Sequence, residues 1–204
     1  MWRTWRSLLV CAVGVLLAFS APGSAQDTRK VIAVVPFADQ VHGWSSASTV
    51  VTDRIVNKLH GVQELRVLPM PQVQDALGQA HADTQGLLDP NEAQKVGQAL
   101  GATYLVMGEV DQFDWQYHSA YVVLATVVQQ SANVALKGQV FDVAGGQVIG
   151  TPKGEAQITQ TGGSTWVGPW WSSVSVDNFD GQLIGKATTQ AVDKFTKQAS
   201  ALMK

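Results

Sequence analysis

Glu109 and Asp111 stand two apart in the stretch TYLVMGEVDQFDW, a spacing that on a β-strand puts both carboxylates on one face. Two carboxylates so placed could divide general acid and base work between them. The same spacing also describes a solvated strand face near a sheet edge, and that plainer reading is adopted. GQLIGKATT (residues 181–189) approaches a phosphate-binding loop, but it has one residue too few between its glycines. Ala187 also follows Lys186 where a metal-binding hydroxyl is required. The histidines, at 42, 60, 81 and 118, show neither i, i+4 pairing nor a neighbouring acid in a ligand pattern. Neither a G-x-S-x-G elbow nor a G-x-G-x-x-G turn occurs. The chain is therefore read as not an enzyme, with no catalytic, cofactor-binding or metal residue assigned and no cofactor expected.

A second cluster is apolar. STWVGPWWSSV (residues 164–174) gathers Trp166, Trp170 and Trp171, three of the seven tryptophans, beside Gly162, Gly163, Gly168 and Pro169. Those glycines and the proline suit a turn. Tryptophan, with an apolar body and one N–H, serves in a packed core, at a protein contact or at a membrane interface. The short alternating arms at 155–159 and 173–177 place the three rings at a hairpin tip, where they are expected to contact a partner or a membrane surface.

What must position these groups begins with an export signal. Arg3 and Arg6 precede the apolar run SLLVCAVGVLLAFS, and APGSA then offers small residues at Gly23 and Ala25. The run is about 13 residues long, short of the roughly 20 that a membrane-spanning helix needs. Residues 1–25 are read as a cleaved signal peptide and 26–204 as a single exported domain. Cys11, the only cysteine, lies inside the run, so no disulfide, thiolate nucleophile or cysteine metal site is expected in the mature chain. Once Arg3 and Arg6 are removed, 12 basic and 16 acidic side chains leave a formal charge of −4. With no basic stripe, nucleic acid is not expected as a partner.

The remaining pattern alternates strands and helices. KVIAVVPFAD (residues 30–39) is a β-branched run that reads as a buried strand, and Val51, Ile55, Leu59 and Val62 form the apolar stripe of the next helix. Gly61 is expected to end that helix with a left-handed backbone. A strand at 65–69 and a helix at 71–80 follow. The next helix carries Asp89 as cap, Pro90 at its first position, Glu92 reaching back and Gly101 as stop, with Ala93, Val96 and Leu100 buried. A long strand leaves the core through Gly108. Strands are then expected over 119–130, 133–143 and 147–159, the last two joined across AGG. The closing helix turns Ile184, Ala191, Phe195, Ala199 and Leu202 inward, and Asp193 can pair with Lys197. The expected fold is an α/β/α sandwich with a mixed sheet, an antiparallel meander in its second half and a C-terminal helix.

VIAVVPFAD, VTDRIVNKL, ELRVLP, DPNEAQKVGQALGATYLVMGEVDQF, VALKGQVFDVAGGQVIG and LIGKATTQAV run in the order found in the CsgG family of curli assembly and secretion components, which the chain resembles over residues 31–200. Periplasmic domains of the TolB N-terminal and LpoB type have a similar order. The resemblance implies a non-catalytic periplasmic module that binds an envelope protein and acts in secretion or assembly of surface components. It also implies a homo-oligomeric ring, with two hairpins per protomer joining into an outer-membrane channel for curli-like amyloid subunits. The sequence departs from the family twice. Ala25 and Gln26 stand where a lipidated cysteine should be, so the protein is expected to lack a lipid and to touch the outer membrane only peripherally. In the first hairpin region the sets Val122, Leu124, Val128 and Tyr121, Val123, Val127 are both apolar, as in one strand covered on both faces. In the second, only Ala156 with Ile158 and Val174 with Val176 alternate, so neither arm reaches the length of a membrane-crossing strand. The protein recovered from the periplasm should begin at Gln26 and carry no lipid; an intact mass that includes Met1 or a diacylglycerol overturns this.

Overall fold

The structure is a computed structural model that describes residues 28–40, 46–82, 85–122, 125–163 and 182–204, with backbone alone at 119–122, 125–128 and 162–163. Residues 1–25 and the cluster of Trp166, Trp170 and Trp171 lie outside the described residues. The chain alternates β1 (Lys30–Val34), β2 (Ala38–Asp39), α1 (Ala47–His60), β3 (Leu65–Val67), α2 (Met70–Ala80) and α3 (Pro90–Leu100). An antiparallel run follows, of β4 (Tyr104–Val122), β5 (Ala125–Asp142), β6 (Gln147–Gly150) and β7 (Lys153–Gly163), and α4 (Leu183–Leu202) closes the fold.

One mixed sheet runs in the order β3-β1-β4-β5-β6, with β2 also on β4 and β7 also on β5. The pairs β1 with β3, β1 with β4 and β2 with β4 are parallel, and those of β5 with β4, β6 and β7 are antiparallel. Helices cover both faces, which is why β1 is apolar on both sides. Ile32 and Val34 face α1 and α4, in a core with Val51, Ile55, Leu59, Ala187, Ala191 and Phe195. Ala33 and Val35 face α2 and α3, with Val73, Leu77, Ala93, Val96, Leu105, Met107 and Phe141. The α/β/α sandwich and C-terminal helix expected from the sequence are thus present.

The α3 punctuation is realised in full. Asp89 accepts hydrogen bonds from the N–H groups of Asn91 and Glu92, at 2.7 and 3.0 Å, and the Glu92 side chain accepts from the Asp89 N–H. Gly101 has φ 59°, the left-handed conformation its stop position needs. Gly61 does not: its φ is −73°, an ordinary right-handed value, so α1 ends without a left-handed residue. Asp193 also departs from expectation. It pairs with Lys58 of α1 at 2.7 Å, because α4 lies beside α1, and a neighbouring helix offers a cation from outside its own turn. Leu202 stays partly exposed, and Met203 is buried in its place. The chain's described ends are tied together, since Lys30 Nζ donates to the carbonyl of Met203 at 2.9 Å.

Two close approaches set the layer on the α1/α4 face. Gly108 and Gly138 are register partners on β4 and β5, and a Cβ on either would meet an aromatic ring, Phe37 over Gly108 and Phe195 over Gly138. Those rings meet edge to face, with centroids 5.4 Å apart. On β7, a Cβ at Gly154 would lie 2.1 Å from the carbonyl oxygen of Ala191, so α4 rests on bare backbone there. Gly154→Val should therefore unfold or severely destabilise the domain by forcing α4 off the sheet. Gly101→Val, with open space around it but a strained φ, should cost about 1–2 kcal/mol. Lys186→Ala, on the exposed side of α4, should stay within about 0.5 kcal/mol of wild type. Thermal melts of the three variants check the ranking, and equal midpoints overturn it.

Candidate functional site

β4 and β5 far outrun the strands beside them. β1 is 5 residues long, whereas β4 has 19 and β5 has 18, and they stay paired until Val122 meets Ala125. β7 joins along the other side of β5, from Lys137↔Lys153 to Val127↔Gly163. The result is a three-stranded antiparallel blade that projects from the sandwich. This corrects two expectations. The stretch 119–130 is not one strand covered on both faces; the chain reverses between Val122 and Ala125, so the halves of that apolar run lie antiparallel. The first arm is also longer than expected. Nine residues, 114–122, extend past Phe113, which at roughly 3.4 Å per residue is about 30 Å.

Register assigns each side chain of the blade's lower part to a face. On the α1/α4 face the rows are Phe113, Val134 and Ala156, then Trp115, Ala132 and Ile158, then Tyr117, Gln130 and Gln160. Phe113, Val134, Ala132 and Ala156 are buried, and Trp115 and Ile158 pack partly against the same core. On the opposite face the rows are Gln112, Ala135 and Glu155, then Asp114, Asn133 and Gln157, then Gln116, Ser131 and Thr159, then His118, Gln129 and Thr161. Eleven of these twelve side chains are polar, and eight of the twelve residues are exposed. The blade is thus amphipathic across its thickness, with an apolar and aromatic face continuing the core and a hydrogen-bonding face turned away from it.

At the base of the polar face stands the acid pair singled out in the sequence. Glu109 and Asp111 do not simply alternate, because the register shifts between Val110 and Gln112, leaving Asp111 in a bulge. Lys137, the cross-strand partner of Glu109, reaches Asp111 at 2.8 Å. The hydrogen bond that Lys137 donates to Asp111 holds its pKa above the ordinary lysine value, against an opposing desolvation cost and with added attraction from Asp111, Glu109 and Glu155. Lys137 balances the charge of Asp111 and attracts Glu109, so the pair belongs to an ion-pair cluster that pins the bulge. His60, His81 and His118 are exposed, on α1, after α2 and on β4 respectively, and His42 lies outside the described residues. Among the described residues no group of three or more His, Cys, Asp or Glu could hold a metal ion. Lys186 sits on the exposed side of α4, where the Gly185 carbonyl accepts from Arg54, so the 181–189 stretch opens a helix whose described part, from Gln182 on, forms no cradle.

The polar rows escaped sequence reasoning, although their signal was present: QFDWQYH (residues 112–118) alternates polar and aromatic residues strictly, the pattern of a strand with one wet and one covered face.

The family model for CsgG, described as curli production assembly/transport component, matches residues 18–204. The chain belongs to the CsgG family. No curated protein sequence matches it. Similar solved structures include the hypothetical protein CT253 from Chlamydia trachomatis, at 14% identity and TM-score 0.46, covering 86% of this chain and 95% of that one. The LpoB C-terminal domain from Escherichia coli is 20% identical, TM-score 0.41, with 67% and 87% covered. The PelC dodecamer from Paraburkholderia phytofirmans is 18% identical, TM-score 0.42, with 83% and 86% covered. Among the described residues no helix of this CsgG-family chain is long and apolar enough to cross a membrane, a fact silent about strands.

The Lys137–Asp111 pair makes a pH-dependent prediction. A cation whose folded pKa is raised stabilises the fold fully below its unfolded pKa, and that contribution disappears as pH rises through the folded value. Lys137→Met should therefore melt slightly below wild type at neutral pH and low salt. The gap should close above the ordinary lysine range, and also in concentrated salt, because the pair is half exposed. Melting curves recorded across alkaline pH check this, and a gap independent of pH and salt removes the ion pair as its cause.

Proposed function

We propose that this protein is a non-catalytic CsgG-type module of the cell envelope that works in the periplasm by binding an envelope protein during secretion or assembly of surface components. The observation that carries the reading is the blade: three paired strands project past the helices with a row-by-row division into an apolar face and a polar face. A projecting surface of this kind serves recognition, since its polar face takes no part in closing the core and offers hydrogen-bonding groups to whatever lies against it. The family's description as an assembly and transport component, and the export-type N-terminus, support the location.

A second reading, an oligomeric outer-membrane secretion channel for curli-like amyloid subunits, is favoured by one specific observation. The nine paired residues beyond Phe113 match the roughly 9–11 that a tilted membrane-crossing strand requires, and the lower part of the arm alternates apolar with polar. A ring of identical copies would then be needed to close the sheet.

Trp166, Trp170 and Trp171 follow the end of β7 in the chain, and in this reading they supply the contact tip. The test is replacement of all three with serine. The variant should melt within a few degrees of wild type, leave the periplasm soluble without detergent and lose capture by envelope extract. Unfolding of the variant would remove the rings from the contact surface by making them core. Discrete conductance steps from wild-type protein in planar bilayers would replace the first reading with the second.

A further inference from the structure

A cleft of about 400 Å³ is lined by Pro36, Phe37, Ser48, Thr49, Thr52, Asp53, Met70, Gln74 and Gln85. Its position follows from connectivity. β1 and β3 are parallel neighbours, and the chain leaves β1 for α1 on one face of the sheet but leaves β3 for α2 on the other. A crevice opens where two adjacent strands send their connections to opposite faces, and in open α/β sheets such crevices at the carboxyl ends of strands are where ligands bind. The volume falls within the roughly 300–1,000 Å³ typical of small-molecule sites.

The lining divides by chemistry. Thr52 is already used by the fold, donating to the Ser48 carbonyl at 2.7 Å and accepting from the Phe37 N–H at 3.0 Å. The side chains of Ser48, Thr49, Asp53, Gln74 and Gln85, by contrast, take no hydrogen bond or ion pair among the described residues. These are two hydroxyls, two carboxamides and one carboxylate around an apolar wall that includes Pro36 and Met70. Among the described residues Asp53 is the only charge in the lining, with no lysine, arginine or histidine beside it. An anion would meet repulsion with no cation to offset it. A cation would have a single carboxylate and would face the positive ends of α1 and α2. An uncharged hydroxyl group suits both conditions, because it can donate to a carboxylate and accept from a carboxamide N–H.

We propose that this cleft binds an uncharged, hydroxyl-rich small molecule of sugar size, through hydroxyl groups held by Asp53, Gln74 and Gln85. None of the described lining residues belongs to the blade, so the site does not depend on the envelope-binding reading. The ligand could be a free monosaccharide or a sugar unit within a glycan. Amide chemical shifts of the full-length protein are followed while D-glucose, D-galactose, D-mannose or N-acetylglucosamine is added, and separately while maltotriose or chitotriose is added. The expected result is saturable shifts confined to residues 46–53, 70–74 and 85–86. Saturation by a monosaccharide identifies a free sugar, and saturation by a trisaccharide alone identifies a glycan. Asp53→Asn, at an exposed position that should leave the melting temperature unchanged, should weaken binding about tenfold, the loss of one charge-assisted hydrogen bond. Non-saturating shifts with all six probes, saturable shifts elsewhere on the protein, or an Asp53→Asn variant that binds as wild type would each overturn the proposal.

Discussion

Two phenylalanine rings rest where two strands carry no side chain, and the layer on that face is built around this contact. Phe37 and Phe195 come from opposite ends of the chain and meet edge to face above Gly108 and Gly138. A methyl group on either glycine would lift one ring, and with Phe195 would go α4, which places Ile184, Ala187 and Ala191 in the same core. The Phe37 N–H is held in turn by Thr52 of α1, so the segment after β1, the helix beside it and the last helix share one anchorage. Edge-to-face pairs add about 0.5–1.5 kcal/mol beyond the area they bury, but here the larger effect is geometric. The two glycines let α4 and the Phe37 segment sit low enough on the sheet for the core to close.

Much of the sandwich was legible because local chemistry and tertiary structure agree there. In α3 the cap, the first-turn proline, the reaching glutamate and the left-handed stop are all specified within thirteen residues, and each is realised. Where reading failed, the deciding partner was distant in sequence. Asp193 had a lysine four residues away, yet it pairs with Lys58, since helix packing brings a second cation closer than the first. At Gly61 the residue type permitted a left-handed stop that the following turn did not require. The reversal after Val122 was missed for a different reason. YVVLATVV contains no glycine, proline, asparagine or aspartate to mark a turn, and its apolar run reads equally well as one buried strand or two paired ones.

The candidate contact surface was half legible. Alternation in residues 112–118 was visible, but its meaning depends on which strands lie alongside, and the rows of glutamine, asparagine, serine and threonine exist only once β5 and β7 are set in register. The acid pair shows the opposite case. Spacing alone made Glu109 and Asp111 neighbours; a one-residue bulge and a lysine from the next strand turned that neighbourhood into an ion-paired brace. A one-residue shift of this kind is invisible to periodicity, because it leaves the composition of each strand unchanged.

The tie between Lys30 and the carbonyl of Met203 spans 173 positions, and the helix that ends there supplies ten buried residues. A chain that emerges N-terminus first from a ribosome therefore cannot close the α1/α4 side of its sheet until α4 is free. The β4–β5 hairpin can zip early from local contacts, while the parallel pairing of β1 with β4 must wait for loop closure across some seventy residues. The two sides of the sheet thus close at different times, the α2/α3 side from segments already present and the α1/α4 side only once α4 arrives.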